Sequence, residues 1–384
     1  MSPTPPPEGF APTLRLLCEL LGVDEDCPPG ELLHRARTVS FTLPPLLLSA
    51  AEHEGRRLGT GSADELRRHR ARLALYDEVA AAVAPYGARV LKGPSLARFQ
   101  PGWAVRTCGD LDLLVADEPA FWRTARRVAR SLPVDDVHLT LIGDGPERHL
   151  VAGLCAPSDE PWLDPGLKVE IATFACSGDW ETVPPRAALP ADDAVAQLLL
   201  VAEERFQRGF TVRDALDCAA VLASAEAPGP QALAKAAADW HLAPELRELI
   251  DFARLFPSLA AVVDHSHSVA LAAASAAELA RRERLRPADR DAPDGETGPE
   301  RTRRRLAAGG PVNERLRNGF PVFGMPLGVD GPFPPEDRAL LHTAGQDTVA
   351  TTPLGAFLLV SQELVDPDRY RAAREFAQRL AAGK

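Results

Sequence analysis

The stretch Arg106-Thr107-Cys108-Gly109-Asp110-Leu111-Asp112-Leu113-Leu114-Val115 constrains the fold more than any other part of the chain. Alternate residues of a strand share a face, so Asp110 and Asp112 project together while Leu111, Leu113 and Val115 enter a core. Two neighbouring carboxylates repel and need compensation when an apolar strand carries them. A divalent cation is the usual one, because Mg²⁺ takes a few carboxylate oxygens together with substrate phosphates. Upstream, Val90-Leu91-Lys92-Gly93-Pro94-Ser95 reads as a strand that breaks into a glycine turn ahead of a helix. Such a turn offers backbone N–H groups to phosphate. Together the two segments point to nucleotide chemistry.

A chain of 384 residues predicts two or three domains, and a hydrophobic content of 45% is enough for a core. The net charge of −11 argues against general binding to nucleic acid, so no DNA partner is expected. Cys18, Cys27, Cys108, Cys155, Cys176 and Cys218 show no C-x-x-C spacing and read as reduced thiols. The proline-rich stretch 1–8 lacks the regions of a signal peptide, and no apolar run reaches membrane-spanning length. The expectation is a cytoplasmic protein without a membrane partner, from a bacterium whose codons favour Ala, Arg, Pro and Gly.

Hydrophobic periodicity predicts an α+β protein. A disordered lead, 1–9, precedes a helical region, 10–87, and Gly87 ends its last helix. The core, 88–185, alternates strand candidates (88–91, 111–115, 137–142, 149–155, 167–174) with one helix, 118–131. That helix turns Phe121, Trp122, Ala125, Val128 and Ala129 inward and Arg123, Arg126, Arg127 and Arg130 outward. This composes a mixed sheet flanked by helices. A helical domain, 186–286, a charged linker, 287–312, and a small C-terminal α+β unit, 313–384, complete the expected organisation. That last unit has strand candidates 321–325 and 356–360 and a closing helix, 366–381.

The core resembles the bacterial nucleotidyltransferase-like family, built on the minimal DNA-polymerase-β-type nucleotidyltransferase fold. The likeness rests on Leu91-Lys92-Gly93-Pro94-Ser95-Leu96-Ala97, on Gln100-Pro101-Gly102 and Arg106, and on Gly109-Asp110-Leu111-Asp112-Leu113-Leu114-Val115. Lys168-Val169-Glu170-Ile171 supplies the third carboxylate such proteins draw from a later strand, and 193–217 resembles the region following the core. The resemblance covers about 76–222. It implies transfer of a nucleoside monophosphate from an NTP to a small-molecule, RNA or protein acceptor, with Mg²⁺ held by Asp110, Asp112 and Glu170. Glu170 would also act as base, Gly93 and Ser95 would cradle phosphates, and Lys92 or Arg106 would offset the triphosphate charge. The chain departs from the pattern at Pro94, at Glu in place of Asp at 170, and at Ala172 and Thr173, where the family often places His and an aromatic.

Two other readings stand beside this one. A nucleotidyltransferase fold without catalysis would bind a partner peptide, such as a leader peptide of a bacterial peptide natural-product pathway, as an added strand. The Arg123–Arg130 face would suit RNA as the acceptor of a toxin–antitoxin enzyme. Arg213 and Asp214 read as an ion pair or as helix-surface charges, Lys168 as a neighbour of Glu170, and His265 and His267 lack a supporting ligand pattern.

Overall fold

The computed structural model describes residues 10–145, 148–285, 296–329, 337–361 and 364–383. The lead 1–9, the last residue of the expected helical domain, 286, and the stretch 287–295 of the expected linker lie outside them. The chain divides into two units, each built from three stretches. One combines 1–77, 91–108 and 176–299; the other combines 78–90, 109–175 and 300–384.

The first unit is helical in its described part. Helices Leu14–Leu21, Pro29–Val39 and Leu43–His53 pool their apolar residues with Asp193–Glu203, Val212–Leu222, Pro230–Asp239, Ala243–Ala253 and His265–Leu285. Leu198, Leu199, Leu246, Leu249 and Ile250 are fully buried there. The expected N-terminal and central helical regions therefore share one core.

Among its described residues the second unit is organised on nine strands: β1 (Arg89–Val90), β2 (Leu111–Leu114), β3 (Asp136–Ile142), β4 (His149–Ala156), β5 (Leu167–Ala172), β6 (Pro321–Pro326), β7 (Leu340–Ala344), β8 (Asp347–Thr352) and β9 (Gly355–Val360). They form one mixed sheet in the order β1-β2-β5-β4-β3-β6-β9-β8-β7. Only β2 and β5 run parallel among the paired strands. The helix Glu118–Ser131 starts where Asp117 accepts the Ala120 N–H, with Pro119 in its first turn, and it packs on β4 and β5. It buries Phe121, Trp122, Ala125 and Val128 against a sheet face made of Leu111, Leu113, Val169, Ile171, Ala152, Leu154, Leu139 and Leu141. Each large apolar side chain so buried contributes roughly 1.5–3 kcal/mol.

Three expectations change. The C-terminal strands do not make a separate unit: β6 pairs with β3, with Leu139 opposite Gly324, so they extend the core sheet. The hairpin β7–β8, turning at Gly345 and Gln346, was not expected. The linker contains a helix, Gly298–Ala307. The closing helix Pro367–Ala381 buries Ala373 and Ala377 against Val349, Leu358 and Val360. Among the described residues, no helix is long and apolar enough to cross a membrane.

Candidate functional site

The acidic pair sits at the start of β2. Strand alternation buries Leu111 and Leu113 completely or nearly so and leaves Asp110 and Asp112 on the opposite face. β5 runs parallel beside β2, with Asp112 directly opposite Glu170 and Leu111 opposite Val169. Glu170 therefore shares the aspartates' face. So does Lys168, two residues before it on β5. The Lys168 Nζ lies 2.8 Å from Glu170 Oε2 and 3.9 Å from Asp110 Oδ2. These side chains are about two-fifths exposed.

Burial opposes the charge on Lys168, but Glu170 and then Asp110 and Asp112 outweigh it, so its pKa is raised and the ammonium stays charged. The chain itself thus sets a cation beside Glu170 and Asp110. The Lys168 stem crosses β4 at Gly153, which lies opposite Glu170. A Cβ at Gly153 would come within 3.2 Å of Lys168 Cε and 3.7 Å of His138 Cβ. On the same face His138 pairs with its strand neighbour Asp136, Nε2 to Oδ2 at 3.1 Å.

Lys92, Gly93, Ser95 and Arg106 belong to the helical unit. Gly93 kinks the short helix Lys92–Ala97 at φ 41°, ψ −114°, a conformation that suits glycine. Lys92 pairs with Glu204 and approaches Glu203 at 4.0 Å, so its charge is answered by protein carboxylates. Glu203 also accepts the Ser177 N–H and hydroxyl, each at 2.8 Å.

Arg106 departs most from the expectation. It is buried, donates Nε and a second N–H to the two Asp217 oxygens at 2.7 Å, and gives another to the Gly93 carbonyl at 2.7 Å. Burial works against its charge and Asp217 overcomes it, so its pKa is raised. The guanidinium expected to face a triphosphate is a packing element that fixes the glycine turn.

Arg213 donates to Thr42 Oγ1 and the Thr107 carbonyl, while Asp214 pairs with Arg208 and caps its own helix at Thr211. Of the two expected readings, an ion pair or helix-surface charges, the mutual pair is replaced by these two separate sets. Arg123 and Arg126, expected as part of an open basic face, both reach Asp337. Glu118 accepts from Trp122, Arg148 and the Ala339 N–H.

Among the described residues, no group of three or more His, Cys, Asp and Glu side chains is gathered, as it stands, to hold a metal ion. The donor set on the open face is nevertheless of the kind Mg²⁺ takes: three carboxylates from neighbouring chain segments, two of them, Asp110 and Glu170, beside an ammonium. No protein-family model, no curated protein and no solved structure matches this chain.

Proposed function

We propose that the chain is a nucleotidyltransferase-like protein. It would transfer a nucleoside monophosphate from an NTP to an acceptor hydroxyl. The observation that carries this reading is the register of β2 and β5, which sets Asp112 opposite Glu170 with Asp110 on the same face. That arrangement concentrates negative charge on a partly exposed surface, which a bound cation would offset.

Asp110 and Asp112 would hold Mg²⁺, which supplies neutralisation of the phosphate charge when bound. Glu170 accepts the proton of the acceptor hydroxyl. The acceptor oxygen then bonds to the α-phosphorus as pyrophosphate leaves in line. Lys168 orients the Glu170 carboxylate through its 2.8 Å contact and donates to any phosphate oxygen that displaces it.

Lys168 also supports a second reading. With its ammonium already among the carboxylates, the face is a partly balanced ion cluster, suited to a non-catalytic fold that binds a partner peptide. Calorimetric titration of ATP, GTP, CTP and UTP with Mg²⁺ separates the two. The transferase reading expects the joint Asp110→Asn, Asp112→Asn substitution to weaken Mg²⁺-dependent binding at least about tenfold, or about 1.4 kcal/mol. Nucleotide binding indifferent to that substitution and to EDTA sinks the transferase and leaves the peptide-binding module.

A further inference from the structure

We propose that the C-terminal part of the sheet unit holds a site for a free aliphatic α-amino acid. The site shares no residue with the acidic face and stands whether or not the chain is a transferase.

A cavity of about 390 Å³ opens where the chain ahead of the helix Val312–Arg317, the β7–β8 turn and the residues after β9 come together. That volume is at the small end of the roughly 300–1,000 Å³ of ligand sites. Among the described residues, Asp347 and Arg369 are the charged ones that line it. Asp347 follows the turn at Gly345 and Gln346, and its side chain is nine-tenths buried. Its Oδ1 accepts from Arg369 twice, from Nε at 3.0 Å and from Nη2 at 2.5 Å. Asp347 Oδ2 and Arg369 Nη1 have no hydrogen-bond partner among the described residues. A carboxylate oxygen this buried and without a donor suits a ligand that brings one. The Ser361 hydroxyl is likewise uncommitted among the described residues. Asn313, whose Oδ1 accepts from the Thr348 hydroxyl at 3.2 Å, keeps its Nδ2 hydrogens.

The charges select the class of ligand. One carboxylate and one guanidinium face the cavity, so a simple anion would meet Asp347 and a simple cation Arg369. A zwitterion suits both. Its ammonium donates to Asp347 Oδ2, and its carboxylate accepts from Arg369 Nη1 and Ser361. The rest of the wall selects the side chain. Val360 is buried, Val312 and Val365 are half-buried, and Leu364 is 92% exposed. An aliphatic side chain laid against them would remove apolar surface from water.

Calorimetric titration of the full chain with L-leucine, L-isoleucine and L-valine tests the proposal. Two halves of leucine serve as comparisons: isoamylamine, which lacks the carboxylate, and isocaproate, which lacks the ammonium. At least one amino acid should bind and raise the melting temperature. Each half should bind at least about tenfold more weakly, because it leaves one of the two charges without its counterpart. Asp347→Asn should weaken amino-acid binding by a similar factor. Should that variant melt early, Leu364→Ser, at an exposed position, keeps the test open: it should melt with the wild type and lose affinity a few-fold. The proposal is overturned if no amino acid binds more tightly than about 1 mM. Either half binding as well as the whole amino acid also overturns it, as does an affinity that neither substitution changes.

Discussion

Gly153 and Gly178 pose opposite problems to a methyl group. At Gly153 the new Cβ meets the flexible stem of Lys168 at 3.2 Å, which can move aside. Gly153→Ala should therefore change stability by no more than about 1 kcal/mol. At Gly178, φ is +69° and the Cβ would lie 1.9 Å from the Val183 carbonyl oxygen, a collision with backbone. Gly178→Ala should cost about 3 kcal/mol or more. Urea unfolding of both variants checks the contrast, and equal losses would refute it. The aspartate pair was legible because strand alternation alone puts residues 110 and 112 on one face. Lys168 was read only as a neighbour of Glu170, since its approach to Asp110 depends on β5 lying beside β2. Arg106 was misread for a related reason. Its partner Asp217 is more than a hundred residues away, and a buried bidentate pair leaves no local trace in sequence.

Among the elements, the C-terminal half of His265–Leu285 carries a network worth measuring. Glu278 accepts from Arg281, Arg282 and His241, and Arg282 also holds Glu245 on Ala243–Ala253. Burial disfavours ionisation of Glu278, but these hydrogen bonds win and hold its pKa down at about 2, against an ordinary 4.5. The unfolded chain therefore takes up this proton first on acidification. The stabilisation is complete above pH 4.5 and is lost as pH falls toward 2. It amounts to roughly 3 kcal/mol at most. Glu278→Gln should lower stability near neutral pH and flatten its decline between roughly pH 5 and pH 3. A variant whose acid limb matches the wild type would contradict this. The helix Glu118–Ser131 was legible to the residue, because its apolar stripe, Asp117 cap and Pro119 agree. The hairpin β7–β8 was missed, although Thr348-Val349-Ala350-Thr351-Thr352 and the Gly345-Gln346 turn are strand and hairpin signals. The partner strand β7 carries no strong alternation, so the pairing that completes the hairpin had no local signal.

For the molecule as a whole, the seam between β3 and β6 decides how the sheet unit holds together. A Cβ on Gly324 would lie 3.1 Å from Leu139 Cβ on one neighbouring strand and 3.1 Å from Phe357 Cβ on the other side. A chain ending at Gly310 would uncover the β3 edge, whose Leu139 and Leu141 are nearly or fully buried in the intact protein. Such a chain should associate into large species in light scattering, as exposed apolar edges do. A monomer with one sharp melting transition would show instead that 109–175 closes its own sheet. The mixed α+β class was legible from alternating periodicities. The partition was not, because joining 300–384 to 109–175 requires pairings across more than a hundred residues, which local pattern does not encode.

The backbone changes unit after Asp77, Val90, Cys108, Ala175 and Pro299. Neither unit can be inherited, cloned or exchanged as a single uninterrupted reading frame. Recombination at any one of these junctions would cut at least one of the two units apart.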